Sequence, residues 1–422
     1  MIQPTPLLFL FLALLVIRSG AQWFLNRLNI SYLRTTGDKI PEVFKDVVDR
    51  GKLETISSYT ITSSNFWTSA TLLKQGGLLA LLLSGVLPVL VKVIEGQGLG
   101  VIGSGLVFFA VLSILTHLFR LPFSLYDTFV IEDRYGFNTM TFKTWLLDLA
   151  KGLMLSAILG GVLLWMLLML VVHGGKTWWV WAWTLFGAFE LLLMWLFPVV
   201  IAPLFNKFEP LENEALKRRI EMLMGQVGLH VQGVFRMDAS KRSKHTNAYF
   251  TGLGKSKRIV LFDTLLESHT DDEILAVLAH EIGHWKKRHV LKQLILVEGL
   301  SLVGFYVVAR LLNWPLLFET FGFSSPFPYV GLFLVGILIS PLGIFVQPAE
   351  SALSRRFECE ADDFSLGLLK DAGPLRSALK RLAADNLANL TPHPFYAWFY
   401  YSHPPLAERI ARLNTKGATS AG

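Results

Sequence analysis

Two histidines four residues apart, His280 and His284, are the residues of this sequence best suited to bind a metal ion. On a helix, residues at this spacing project from the same face, so both imidazoles can reach one ion. Glu281 follows the first histidine and is placed to act on a water molecule at the metal, without binding the metal itself. The segment His-Glu-Ile-Gly-His therefore predicts a metallopeptidase site; the alternative is a surface helix that carries two histidines.

A catalytic zinc site usually has three protein ligands and one open position. No third histidine follows at the short spacing that metzincins use, and His289 begins no such motif. Residues 354–362 offer a carboxylate instead. If they are helical, Glu358 and Asp362 share a face, so that Glu358 would bind zinc while Asp362 orients a ligand imidazole. Spacing alone leaves a solvated, charged helix open as the alternative.

The elements around the histidine motif are predicted to mix helix and strand. Thr270 and Glu273 form a capping-box pattern, which predicts a helix from there to about His289. Hydrophobic periodicity predicts a helix over Glu214–Val227, strands over Gly233–Asp238 and Arg258–Asp263, and a charged helix over Ser354–Lys370.

The composition places much of the chain in a lipid bilayer. Of its 422 residues, 52% are hydrophobic and only 17% are charged, with a mean hydropathy of +0.47. An average soluble domain has roughly 25% charged residues, so this balance excludes a disordered protein and argues against a purely soluble one. The net charge of +7 is typical of basic cytoplasmic loops, and we expect no nucleic-acid partner. The single cysteine, Cys359, excludes an intrachain disulfide and a cysteine-based zinc site.

Seven apolar stretches are long enough, or nearly so, to cross a hydrocarbon core about 30 Å thick. They are residues 4–24, 76–94, 99–122, 152–172, 178–203, 291–312 and 327–347. The first is also compatible with a cleaved secretory signal, although it lacks a basic N-terminal region. Lysine and arginine concentrate in the loops after spans one, three and five and in the C-terminal tail. This pattern predicts an odd number of crossings, with the catalytic segments on the cytoplasmic side.

These spans divide the chain into four predicted regions. Residues 1–206 hold spans one to five, and residues 207–290 form a zincin-like catalytic segment with the histidine motif. Residues 291–348 hold spans six and seven, and residues 349–422 form a C-terminal catalytic segment with the third zinc ligand.

Several stretches resemble the type I CaaX prenyl endopeptidase family of integral-membrane zinc metalloproteases. A Glu-x-x-x-Asp pair follows the His-Glu-x-x-His motif across two further spans, as in that family. The other matching stretches are Tyr135–Asn138, Pro203–Phe208, Ser240–Ser243 running to Asn247–Phe250, Arg258–Leu266, and Ser402–Pro405 followed by Glu408 and Arg409. The resemblance covers about residues 115–413 and is far more specific than the zinc motif, which unrelated proteases share.

The resemblance implies an α-helical integral membrane protein in which seven transmembrane helices form a barrel around a large chamber, with a zincin-like α+β metalloprotease domain. It implies that His280, His284 and Glu358 bind one zinc ion per chain and that Glu281 is the catalytic glutamate. The zinc site would face the interior of the chamber.

The resemblance also implies roles for residues outside the zinc motif. Asn247, Ala248 and Tyr249 match the segment that lines the active site and pairs with extended substrate. His403 and Arg409 match residues near the reacting centre. We expect His403 to hydrogen-bond the oxyanion of the tetrahedral intermediate; packing within the Ser-His-Pro-Pro turn is the alternative.

The activity implied is cleavage of peptide bonds near the C-terminus of prenylated CaaX-type proteins or peptides. The expected partners are a lipidated peptide or protein substrate and the lipid bilayer, and the oligomeric state is unknown. A membrane-protein quality-control protease that requires no prenyl group is an alternative within the same chemistry. A seven-span receptor or transporter is an alternative from another class. The membrane would be the endoplasmic reticulum or a bacterial inner membrane.

Overall fold

The structure is a computed structural model that describes residues 2–229, 231–252 and 257–420. Within them, seven helices are long and apolar enough to cross a membrane, which agrees with the predicted number. These spans are Pro6–Thr36, Arg50–Leu83, Gly100–Glu132, Phe142–His173, Gly175–Phe205, His289–Leu311 and Pro328–Leu369. The predicted fold class, a helical membrane protein with a small α+β part, is confirmed.

The elements follow one another from the membrane region into the catalytic region. The first group is α1 (Pro6–Thr36), α2 (Arg50–Leu83), α3 (Val86–Glu95), α4 (Gly100–Tyr126), α5 (Phe142–His173), α6 (Trp178–Leu196) and α7 (Ala202–Phe205). The second is β1 (Phe208–Pro210), α8 (Glu214–Gln226), β2 (Gly233–Met237), β3 (Ala248–Thr251), β4 (Arg258–Phe262), α9 (Asp263–Ser268) and α10 (Asp271–Lys286). The third is α11 (His289–Leu311), α12 (Pro315–Thr320), α13 (Pro328–Ile339), α14 (Gly343–Leu369), α15 (Gly373–Asp385), α16 (Pro394–Tyr400) and α17 (Leu406–Ser420).

The second span does not lie where the sequence predicts it, and the placement at residues 76–94 is wrong. Helix α2 begins at Arg50, where the side chain of Asp49 accepts a hydrogen bond from a backbone N–H of the first turn. Gly85, with a φ of +76°, ends this run and starts the separate helix α3. Hydropathy misses the first half of α2 because that half is rich in serine and threonine.

Those polar side chains line a cavity, which explains how α2 carries them through an apolar region. The cavity has a volume of about 360 Å³ and lies between α1, α2 and α16. Its polar lining comprises Ser19, Gln22, Asn26, Ser63, Ser64, Thr68, Thr71, Tyr396 and Tyr400. Polar groups in a spanning helix are costly against lipid, and these side chains instead face the cavity.

A four-stranded sheet in the order β1-β2-β4-β3 supports the catalytic segment. Strands β2 and β4 are parallel, whereas β1 and β3 pair antiparallel to them, with Ala248 of β3 opposite Leu261 of β4. Ile259 and Leu261 of β4 are fully buried against α8 and α10 in one apolar core. Strand β3 therefore lies at an edge of the sheet and packs against the helix that carries the histidine motif.

Helices α10 and α14 cross closely, and a glycine within the histidine motif permits this approach. A Cβ atom added at Gly283 would lie 2.9 Å from the Cα atom of Ala361. One turn further along, the hydroxyl of Ser365 donates to the backbone carbonyl of Ala276 at 3.1 Å. Because α14 starts in the last span and continues into the C-terminal segment, this crossing joins the membrane region to the histidine motif.

Candidate metal centre

The capping-box pattern at Thr270 and Glu273 is confirmed and starts the helix that carries the histidine motif. The hydroxyl of Thr270 accepts from the Glu273 N–H, and the Glu273 carboxylate accepts from the Thr270 N–H at 2.8 Å. Asp271 and Asp272 add negative charge to the first turn, where the helix dipole favours it. The helix ends at Lys286, three residues before the predicted end at His289, because Arg288 adopts a left-handed conformation with φ 55°.

The three predicted metal ligands converge on one point. The Nε2 atoms of His280 and His284 lie 3.1 Å apart, and each is 3.2–3.3 Å from a different carboxylate oxygen of Glu358. One ligand atom from each residue lies within 4.8 Å of the other two. Glu358 is only 5% exposed, so its surroundings are those of a helix–helix contact and the solvated-helix alternative is wrong.

Asp362 and Arg409 contact the predicted metal ligands from the side away from the convergence point. An oxygen of the fully buried Asp362 carboxylate lies 2.9 Å from Nδ1 of His280, which leaves the Nε2 lone pair directed at the convergence point. The guanidinium of Arg409 donates two hydrogen bonds to the same carboxylate, at 3.0 and 2.6 Å. Arg409 also lies 3.5 Å from Glu358, so one buried cation pairs with both carboxylates.

The contact of His289 with the histidine motif was not predicted from the sequence. His289 lies 3.0 Å from His284, Nδ1 to Nδ1, and its Nε2 atom lies 3.1 Å from a carboxylate oxygen of Glu360. The turn at Arg288 folds His289 back onto the motif, and no periodic pattern in the sequence signals that turn. Glu360 itself contacts His289 and Arg356 instead of the metal ligands.

Glu281 and His403 flank the convergence point. Burial raises the pKa of the Glu281 carboxyl above its usual range, against the opposing effect of the two neighbouring imidazoles. A carboxylate with a raised pKa is a better proton acceptor near neutral pH. The Nε2 atom of His403 lies 3.3 Å from Glu358, and Nδ1 lies 2.9 Å from the Ser402 hydroxyl. The structure thus brings His403 to the site.

The residues at the convergence point fit a divalent metal ion. The Oε2 atom of Glu358 is buried, and although Nε2 of His280 lies 3.3 Å and Arg409 lies 3.5 Å from it, neither is in hydrogen-bond geometry. A buried carboxylate oxygen without a partner is costly, and two facing imidazole nitrogens without a proton between them repel each other. A cation between the three side chains removes both costs. Two histidines and one carboxylate are also a donor set of catalytic zinc sites.

Strand β3 follows the predicted substrate-binding residue Asn247 and includes Ala248 and Tyr249. Within the described residues its only strand neighbour is β4, so its other edge is free to pair with an extended peptide. The side chain of Ala248 is buried, whereas the Tyr249 ring packs edge-on to Phe262 on the opposite face of the sheet. The backbone of this strand, more than its side chains, is available for recognition.

Both halves of the chain match models of known protein families. Residues 29–207 match the family model described as CAAX prenyl protease N-terminal, five membrane helices, and residues 210–416 match Peptidase family M48. The CAAX prenyl protease 1 homolog of Arabidopsis thaliana is 37% identical over 89% of this chain and 90% of its own length. The CAAX prenyl protease 1 of Saccharomyces cerevisiae is 38% identical over 79% of this chain and 76% of its own length.

A solved structure shows the same fold along nearly the whole chain. The crystal structure of S. mikatae Ste24p superposes with a TM-score of 0.92 at 32% identity, covering 98% of this chain and 100% of that chain. These findings do not favour a receptor or transporter. The chain belongs to the CAAX prenyl protease 1 family of integral-membrane M48 metallopeptidases.

Proposed function

We propose that this chain is a zinc endopeptidase that cleaves prenylated CaaX-type proteins or peptides near their C-terminus. The observation that carries the proposal is the convergence of His280, His284 and Glu358, which would hold one zinc ion. The substrate class is supported by the names of the relatives, which are CAAX prenyl proteases.

The residues around the metal divide the work of peptide hydrolysis. When bound, zinc polarises the scissile carbonyl and makes a water molecule more acidic. Glu281 takes the proton of the attacking water and passes it to the leaving amine nitrogen. His403 donates from Nε2 to the carbonyl oxygen as that oxygen becomes negative. In this tautomer the Ser402 hydroxyl donates to Nδ1, which agrees with their 2.9 Å separation.

Asn247, Ala248 and Tyr249 would hold the substrate in an extended conformation. The free edge of β3 supports this role, because its backbone N–H and C=O groups can add a peptide as a further strand. Such pairing reads the backbone and tolerates different side chains. A lipid tail on the substrate would lie against apolar walls of the membrane helices.

The catalytic segments would lie on the cytoplasmic side of the membrane. The support is the distribution of lysine and arginine, which concentrate in the loops on the same side as the catalytic segments. Asp362 and Arg409 would act by fixing the His280 ring and by balancing the charge of Glu358.

The test compares wild type with Glu281→Gln, with Glu267→Gln as a matched control at an exposed glutamate of α9. Metal content and cleavage are measured for a farnesylated CaaX peptide and its unprenylated twin. We expect Glu281→Gln to retain zinc and to lose about 10³-fold or more in kcat, since it removes the proton acceptor. Equal cleavage of the twin peptides would favour the quality-control alternative, and full activity of Glu281→Gln would exclude Glu281 as the base.

A further inference from the structure

A second cluster of polar side chains lies where the membrane helices meet the catalytic segment, away from the metal ligands. This junction cluster consists of His245, Glu132, Tyr59 and Asn386. Glu132 lies in the wider helical turn, Asp127–Glu132, that continues α4, and Tyr59 lies in α2. Asn386 follows α15, and His245 precedes β3 by three residues. Four separate parts of the chain thus meet in one hydrogen-bonded cluster around His245.

The hydrogen bonds of Asn386 fix the protonation of one side of that imidazole. The N–H of Thr246 donates to Asn386 Oδ1 at 3.1 Å, while Asn386 Nδ2 donates to the carbonyl and hydroxyl oxygens of Thr246 at 3.4 and 3.3 Å. This pattern identifies Oδ1 as an acceptor. The Nδ1 atom of His245 lies 3.0 Å from the same oxygen and must therefore carry a hydrogen.

The other side of the His245 ring faces a carboxylate. Its Nε2 atom lies 3.2 Å from Oε2 of Glu132, and the second oxygen of Glu132 accepts from the Tyr59 hydroxyl at 2.7 Å. Glu132 accepts from both neighbours when it is ionised, and Nε2 then also carries a hydrogen. With both nitrogens donating, His245 is an imidazolium paired with ionised Glu132. The ring also stacks on Phe137 at 3.9 Å between centroids.

These contacts hold the three residues that lead into β3. The His245 carbonyl accepts from the Thr264 hydroxyl at 2.9 Å, and the Asn247 carbonyl accepts from the Phe262 N–H at 3.1 Å. Within the described residues, β3 pairs with β4 alone, so its position at the free edge depends on what holds its start. The junction cluster is one part of that support which comes from the membrane helices.

We propose that His245 is a positioning residue: its charged pair with Glu132 fixes the substrate-facing edge strand to the membrane helices. The role rests on the proposed function, because it assigns substrate pairing to β3. The contacts of His245 include none of the three metal ligands, and it acts through the backbone of Asn247, Ala248 and Tyr249.

The ion pair between His245 and Glu132 exists only within a defined pH range. Burial by itself lowers the pKa of His245, but hydrogen bonds to Glu132 and Asn386 outweigh it and raise the pKa above the ordinary histidine value. The other titratable groups beside Glu132 are Tyr59 from α2, which donates to it, and Asp127 at the start of the wider turn that continues α4. The pair is intact below the raised pKa and is lost as pH rises through it; protonation of Glu132 breaks it again in acid.

The kinetic test uses His245→Gln, Glu132→Gln and the double variant, with exposed His173→Gln as the matched control. Peptide cleavage is measured from pH 6 to pH 9. We expect KM to rise about tenfold in each single variant, as for loss of a charge-assisted hydrogen bond, with kcat and metal content unchanged. The double variant should be no worse than either single one, because both remove one interaction. Wild-type KM should rise at alkaline pH, whereas KM of His245→Gln should not.

A second measurement keeps this role separate from the proposed function. Hydrogen–deuterium exchange of residues 248–251 should become faster in His245→Gln and in Tyr59→Phe, the mildest change to the junction cluster. If wild type binds metal but cleaves no peptide, the proposed function fails while the exchange result still tests the position of β3. The positioning role would be overturned if His245→Gln had the same KM and the same exchange rate as wild type. It would also be overturned if the substitution lowered kcat alone.

Discussion

The metal centre and the junction cluster are both built from histidines facing carboxylates, yet only the junction cluster is complete by itself. In the junction cluster, Glu132 and both nitrogens of His245 have hydrogen-bond partners. In the metal centre, the buried Oε2 atom of Glu358 has no neighbour in hydrogen-bond geometry among the described residues, and the Nε2 atoms of His280 and His284 face each other at 3.1 Å. The first arrangement stabilises a position, whereas the second requires a cation.

The largest expected effect comes from removing the carboxylate of the metal centre. Glu358→Ala should lose the metal and with it more activity than the roughly 100-fold that loss of a supporting residue costs. Metal analysis and peptide cleavage are compared with Glu350→Ala, an exposed glutamate on the same helix. Full metal occupancy in Glu358→Ala would remove Glu358 from the ligand set and break the contrast between the two clusters.

Asp362→Asn should have a smaller effect, because the proposed role of Asp362 is to orient His280 and the substitution leaves the three proposed ligands in place. We expect metal affinity to fall roughly 10–100-fold, as for other residues that support a ligand imidazole. A competitive chelator titration measures this, with Asp363→Asn as the control; Asp363 pairs with Arg412 at the surface of the same helix. Unchanged affinity in Asp362→Asn would mean that helix packing alone holds the His280 ring.

The contrast also explains what the sequence could predict. His280, Glu281 and His284 lie within one turn and a half of a helix, so local spacing predicts the histidine half of the metal centre. Glu358 needed the family resemblance, because a charged helical stretch is compatible with a solvated surface. What brings it into place is the close contact of Gly283 with Ala361, a tertiary feature that periodicity does not encode.

The junction cluster could not be predicted for the same kind of reason. His245 and Glu132 are 113 residues apart, and neither belongs to a motif with a known chemistry. Helix α2, which supplies Tyr59, was itself misplaced, since hydropathy averages favour apolar stretches over a span with a polar face. Composition predicts that a chain enters the membrane; it does not predict which polar residues meet there.

The smallest effect is expected for Arg242. Its substitution separates the stability of the contact between membrane helices and catalytic segment from the positioning of β3. Arg242 lies three residues before His245. Its guanidinium donates to both carboxylate oxygens of Asp148 in α5, at 2.7 and 3.0 Å. Arg242→Gln should lower the unfolding temperature in micelles by roughly 2 °C, because one partly exposed ion pair is lost from a large chain. KM should stay within about twofold of wild type, since the hydrogen bonds of His245 remain. Lys241→Gln, at the exposed neighbouring residue, is the control. A tenfold rise in KM for Arg242→Gln would show that contacts outside the junction cluster position β3 equally well. His245 would then lose its distinct role.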